Sequence, residues 1–95
     1  MNLFLSGKIK NKLANKIPPV AEEEVVQCFA NRTGPLLEDT REDHRTNPPS
    51  LWFISETNTG RRLKVIFMRI GDEFHIKSAY EPEEAAVAMY NRYRR

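Results

Sequence analysis

The sequence predicts an α+β fold in which N-terminal helices come first, an antiparallel sheet of three to four strands follows, and a C-terminal helix closes the chain. Apolar residues recur at helical spacing in the first third of the chain, whereas residues 50–80 hold two extended, largely apolar runs and one alternating run, separated by short glycine turns. The chain has 95 residues, the length of one domain, so we expect residues 1–95 to share a single core.

The composition excludes several classes of protein. The chain is 40% hydrophobic and 29% charged, as in folded proteins, and no apolar run approaches the ~18 residues needed to span a membrane. The apolar start turns lysine-rich, the reverse of the order in a signal peptide, and Cys28 is the only cysteine. We therefore expect a cytoplasmic protein in a reducing compartment, with no internal disulfide and no membrane partner.

Three helices are predicted. Ser6 is a suitable N-cap for a lysine-rich helix over residues 7–16, which a pair of prolines ends, while residues 3–5 suit either a short edge strand or the lead-in to this helix. The second helix covers residues 21–31, with acids in its first turn and Cys28 in its apolar stripe, where we expect a buried structural thiol. Glu81 and Pro82 open the last helix.

Up to four strands are predicted between the second and third helices. Residues 50–57 and 61–70 form a hairpin through a turn at Gly60, residues 73–80 follow after a second turn, and residues 36–41 add a possible first strand. Residues 42–49 are a polar loop. We expect Trp52 to be a core residue rather than a base-stacking platform.

Charge is distributed unevenly along the chain. Residues 1–20 hold four lysines and no acid, residues 21–47 hold seven acids and three arginines, and residues 48–95 hold eight bases and six acids. This division permits a polyanion site on one part of the surface and a basic partner on another.

Strand alternation places candidate binding residues on shared faces. Arg62 and Lys64 lie on one face of their strand, and His75 shares a face with Lys77 opposite Tyr80. If the two lysines point to the same side of the sheet, they form a small basic floor. The alternative is that they are solvated residues of an open sheet face.

Proton transfer and metal binding have fewer candidates. His44 lies in a charged loop and His75 on a strand, and either can be a proton-transfer group or an ordinary solvated histidine. Tyr80, at a strand end, either caps the core or reaches a phosphate. The histidines and the cysteine lack zinc-ligand spacing, and phosphate-loop and dinucleotide motifs are absent, so we expect no metal and no cofactor.

The order of these segments resembles that of the BrnT-type toxins in the RelE-like toxin group, and the resemblance covers nearly the whole chain. Ile17-Pro18-Pro19-Val20 stands where that family has Lys-His-Gly-Val, and Tyr80 stands where an arginine commonly follows Ser-Ala. The segments that carry the resemblance are residues 8–20, Glu24-Val25, Cys28-Phe29, Glu38-Asp39, Gly60-Arg61-Arg62-Leu63 and Ile76-Lys77-Ser78-Ala79-Tyr80.

The resemblance implies a bacterial, metal-independent endoribonuclease with a RelE-like fold, held inactive by a cognate antitoxin. Such cleavage needs a base for the ribose 2′-hydroxyl, cations around the phosphate and an acid for the leaving oxygen. We assign the residues as follows: Lys64, Lys77 and Arg61 clamp the phosphate, Arg41 and Arg62 bind RNA, His44 or Glu56 is the base, and His75 or Tyr80 is the acid.

Two other classes of function compete with this hypothesis. One is a binding module for RNA or protein that has the same fold and no catalysis, and the other is a structural subunit that assembles through a sheet edge or the acidic residues 22–24. A proton-transfer group close to Lys64 and Lys77 would favour the enzyme. An acidic antitoxin segment would suit the basic face.

Overall fold

In the computed structural model, which describes residues 2–40 and 46–94, five strands form one mixed sheet flanked by three helices. The elements in chain order are β1 (Asn2–Phe4), α1 (Gly7–Ala14), α2 (Glu22–Ala30), β2 (Leu37–Glu38), β3 (Ser50–Glu56), β4 (Arg62–Ile70), β5 (Glu73–Tyr80) and α3 (Glu84–Asn91). The α+β class is therefore confirmed. None of the helices in these two ranges is long and apolar enough to cross a membrane.

The sheet differs from the predicted one in strand number and direction. Its order is β1-β5-β4-β3-β2, and β1 runs parallel to β5, with Phe4 opposite His75, while the other neighbours are antiparallel. The four predicted strands are present and antiparallel to their neighbours, but β1 adds a fifth strand that is parallel, so the predicted strand number was wrong. Because β1 precedes α1, the chain does not begin with helices, and residues 3–5 follow the edge-strand alternative. Pairing between the two ends of the chain is a long-range contact that local sequence patterns do not encode.

N-terminal capping hydrogen bonds mark the starts of helices α1 and α2. The Ser6 hydroxyl accepts a hydrogen bond of 3.2 Å from the backbone N–H of Ile9, which confirms this N-cap, and Glu24 accepts one of 3.0 Å from the backbone N–H of Ala21. Helix α1 ends at Ala14, before the predicted residue 16. Helix α3 starts at Glu84, later than predicted, because its N-cap Glu83 is still extended.

Helices cover both faces of the sheet. On one face Phe29 of α2 packs against Phe53, Phe67 and Phe74, at ring-centroid distances of 4.8, 5.2 and 5.6 Å. On the other, here called the α3 face, Tyr90 packs against Trp52 at 5.6 Å. Trp52 is 5% exposed, which confirms that it is a core residue. Helix α3 covers β3. The part of the α3 face formed by β4 and β5 lies outside this contact.

A β-bulge in β5 changes which residues share a face. Ile66 of β4 pairs with Ser78, but the next residue pairs with Ile76, so Lys77 is an extra residue in β5. The bulge brings Lys77 to the α3 face, where its Nζ lies 3.0 Å from Ser50 Oγ. The expectation that Lys77 and Tyr80 face opposite sides was therefore wrong, because strict alternation ends at the bulge.

Helix α1 lies beside the half of β5 that β1 does not pair. Lys12 Nζ donates to the backbone carbonyl of Lys77 at 3.3 Å, and Leu13 is buried against the core. Thus α1 covers an otherwise open strand edge and brings its lysines to the α3 face.

Candidate functional site

Lysines line a cavity on the α3 face, between α1 and the sheet. Its volume is about 340 Å³. We call it the lysine cavity, and the residues that line it are Lys12, Lys16, Asp39, Ser50, Ile66, Lys77, Ser78 and Tyr80. Its walls thus come from α1, the residues just after α1, and strands β3, β4 and β5, so its shape depends on the fold and not on one flexible loop.

Each lysine of the cavity is held by a contact within the protein. Lys77 Nζ donates to the hydroxyl of Ser50, which is 1% exposed, and the Ser50 hydroxyl also lies 3.3 Å from Thr46 Oγ1. Lys12 Nζ donates a hydrogen bond to the backbone carbonyl of Lys77, and Lys16 Nζ lies 5.0 Å from the centre of the Tyr80 ring. These contacts fix the ammonium groups around one space and reduce the ordering needed on binding.

The charge balance of the lysine cavity favours anions. Three lysines line it, against Asp39 as the one carboxylate among the described residues around it. Ammonium groups that converge in a concave site concentrate positive potential and attract phosphate or carboxylate groups. The hydroxyls of Ser78 and Tyr80 add polar atoms that can donate to an anion.

Lys64 lies next to the lysine cavity. It is opposite Tyr80 across β4 and β5, and its Nζ sits 4.4 Å from the centre of the Trp52 ring. A cation over an indole face is attracted by the ring quadrupole, so Trp52 holds this ammonium close to the sheet. The structure therefore places Lys64 beside Tyr80, and it places Lys77 on the same face of the sheet, which is the condition that the basic floor required.

Other predicted residues lie elsewhere. Glu56 and Arg62 are opposite each other across β3 and β4 and line a separate cavity with Arg94. His75 is near the start of β5, where its Nε2 lies 3.1 Å from Glu73 Oε1. These groups are not among the residues that line the lysine cavity. His44 and Arg41 are outside the described residues, and their assignments stay predictions.

The guanidinium of Arg61 makes hydrogen bonds within the protein. Its Nη1 lies 2.9 Å from Glu24 Oε1 and its Nε 2.8 Å from Glu81 Oε2, and further donors reach the carbonyls of Pro19 and Pro18 at 2.8 and 3.2 Å. Burial alone would lower the pKa of Arg61, but the hydrogen bonds to the two carboxylates outweigh it and raise that pKa. Its guanidinium thus ties β4 to α2 and to the segment before α3.

The surroundings of Cys28 and of the metal-binding residue types complete the description of the candidate groups. Cys28 is fully buried, and burial, aided by the charge of Glu24, raises the pKa of its thiol to about 12, which confirms a structural thiol. Residues 2–40 and 46–94 contain no group of three or more histidine, cysteine, aspartate or glutamate side chains that could hold a metal ion.

Comparison with protein-family models, curated proteins and solved structures gives no match for this chain. Its function is therefore inferred from its own residues. Sequence reasoning missed Lys12, Lys16 and Asp39, because spacing alone shows only that the lysines lie on a helix and its end. The run of four lysines without an acid before residue 21 was the signal that pointed to them.

Proposed function

We propose that this protein is a toxin-like, metal-independent endoribonuclease of a bacterial toxin-antitoxin pair, and that it binds and cleaves RNA at the lysine cavity in the cytoplasm. The observation that carries the proposal is the convergence of Lys12, Lys16 and Lys77 with the hydroxyl of Tyr80 around one cavity. The position of Lys64 beside Tyr80 adds a fourth cation. RNA supplies the phosphates that such a site attracts.

The residues of the cavity suit the chemistry of RNA cleavage. The ribose 2′-hydroxyl attacks the adjacent phosphorus, the 5′-oxygen of the next nucleotide leaves, and a 2′,3′-cyclic phosphate forms. Lys12 and Lys77 stabilise the charge on the phosphate, and Tyr80 donates a proton to the leaving oxygen. Asp39, a carboxylate that lines the cavity, is our candidate for the base that takes the proton of the 2′-hydroxyl, and His44 stays a second candidate.

A cognate antitoxin is part of the proposal. The lysine cavity and Lys64 present positive charge on one face, and an acidic segment of a partner protein would neutralise that charge. A partner seated there would also exclude RNA from the lysines. Inhibition and substrate binding would then compete for one surface.

Binding of RNA without cleavage is the second candidate function, and one observation favours it. Glu56, one of the two predicted bases, and His75, one of the two predicted acids, do not line the lysine cavity. A site that has cations but no efficient proton-transfer pair would hold RNA and leave it intact. The same cavity would then serve as an RNA-binding module.

The test is cleavage of a mixed RNA in excess chelator by wild type, a Lys12→Gln, Lys77→Gln variant and a Lys10→Gln control. Lys10 lies on the same helix as Lys12 but pairs with Glu22 at 3.3 Å, away from the cavity. We expect wild type and control to leave 2′,3′-cyclic phosphate ends and the double variant to leave the RNA intact. Equal cleavage by the double variant would show that the reaction does not take place in this cavity. Binding without cleavage by wild type would support the RNA-binding module instead.

A further inference from the structure

A second cavity opens at the C-terminal end of α3, where the helix meets β3 and β4. Two adjoining spaces of about 260 and 100 Å³ share Ile54, Ser55, Glu56 and Arg94 along their walls. Asn31 borders the larger space, and Arg62 borders the smaller one. We call the two spaces together the arginine cavity.

The polar groups of the arginine cavity suit a phosphate. Arg62 and Arg94 are both exposed arginines, and Glu56, opposite Arg62 across β3 and β4, is the acid that lines the same space. Arg94 is oriented by a hydrogen bond from its guanidinium to the Thr33 hydroxyl. A guanidinium presents paired N–H donors that match two phosphate oxygens, and two guanidinium groups outweigh one carboxylate.

Strand β4 connects the arginine cavity with the lysine cavity. Arg62 and Lys64 are two residues apart on one face of β4, so their Cα atoms are about 7 Å apart along the strand. Lys64 is in turn opposite Tyr80, which lines the lysine cavity. Cations therefore occur in order along the α3 face: Arg94 and Arg62 at the arginine cavity, Lys64 on β4, and Lys77 at the lysine cavity.

We propose that the arginine cavity is a second phosphate subsite for the same RNA strand. A strand whose reacting phosphate lies among the lysines runs along β4, and a neighbouring phosphate of that strand lies between Arg62 and Arg94. This track along a pleated strand suits an extended single strand, because the backbone of a single strand can follow a positively charged groove. This inference rests on the proposed function, because the lysine cavity must bind RNA first.

The consequence is that affinity depends on the length of the RNA. A dinucleotide, which has a single phosphodiester, fills the lysine cavity alone, whereas a longer oligonucleotide reaches both cavities. Two subsites joined by one strand bind more tightly than either does alone, because the second contact forms within the complex. The two arginines should contribute only to the binding of the longer ligand.

The test measures fluorescence anisotropy with labelled 2′-O-methyl oligouridines, which lack the attacking hydroxyl and stay intact, as a dinucleotide and as a longer oligomer, over a range of salt concentrations. The Arg62→Gln, Arg94→Gln variant is compared with wild type and with Arg69→Gln, which changes an arginine of the same strand whose side chain lies over Phe74 on the opposite face. Urea unfolding checks that each variant is folded.

We expect the double variant to bind the longer oligomer about tenfold more weakly, with a salt slope reduced by about two, and to bind the dinucleotide like wild type. The control should bind both ligands like wild type. Unchanged binding of the longer oligomer would overturn the second subsite, and so would an equal loss for both ligands, which would indicate a general field effect. Failure of wild type to bind any oligomer would instead reject the proposed function.

Discussion

Replacement of Arg61 by alanine should destabilise the fold and leave the lysine cavity in place. The guanidinium and the Glu24 carboxylate are 19% and 22% exposed, and their ion pair is 2.9 Å long. A charge-assisted hydrogen bond in such a setting contributes about 1.5–3 kcal/mol to the free energy of unfolding. The second carboxylate, Glu81, is 47% exposed, so solvent limits its contribution to at most about 1 kcal/mol.

Together these contacts predict a loss of about 3 kcal/mol for Arg61→Ala. In a domain of this size that corresponds to a fall of roughly 12–24 °C in Tm. Arg62→Ala is the matched control, because Arg62 is the next residue, is exposed, and should change stability by no more than about 0.5 kcal/mol.

The assay is urea unfolding followed by tryptophan fluorescence, since Trp52 is buried against Tyr90 and reports on the packing of α3. Equal unfolding midpoints for Arg61→Ala and Arg62→Ala would refute this assignment of Arg61. Under conditions where Arg61→Ala remains folded, we expect it to bind RNA like wild type. A loss of RNA binding in the folded variant would instead support the sequence-based prediction that Arg61 binds the phosphate.

Three further predictions concern the core. Gly34→Ala should lower the free energy of unfolding by about 1–3 kcal/mol in urea, because the added Cβ would overlap the Tyr90 ring and hydroxyl. Phe29→Ala should lower it by about 3–5 kcal/mol, because Phe29 contacts three other phenylalanine rings, and a midpoint like that of wild type would contradict this packing. Cys28 should resist alkylation until urea unfolds the protein; because its folded pKa is raised from 9.0 to about 12, the stability that the neutral thiol contributes should be present below pH 9 and be lost as the pH rises toward 12.

Patterns within short segments of the sequence predicted most of the strands and helices. The bounds of β5 match those predicted, β3 and β4 differ by one residue at one end, and the hairpin between them turns at Gly60, whose φ of 85° suits glycine. These features depend on neighbours in the chain: strand alternation, turn residues and helix caps. Their physical causes are therefore visible in short segments.

The parts that the sequence did not predict depend on distant residues. The bulge that turns Lys77 toward the α3 face, and the pairing of β1 with β5, arise from long-range packing. The same packing brings Lys12 of α1 to the carbonyl of Lys77, and it separates Glu56 from that lysine. Residue type identified several cations of the site, but only the fold shows which of them share a cavity.

The central claim is that RNA binds at the lysine cavity, and NMR of the protein with ¹³C-methylated lysine side chains tests it most directly. Methylation keeps the charge of each ammonium group, and single substitutions assign each resonance. On titration with single-stranded RNA we expect the signals of Lys12, Lys16, Lys64 and Lys77 to shift together and that of Lys10 to stay in place. Shifts confined to lysines outside the cavity, or equal shifts of all of them, would contradict the claim.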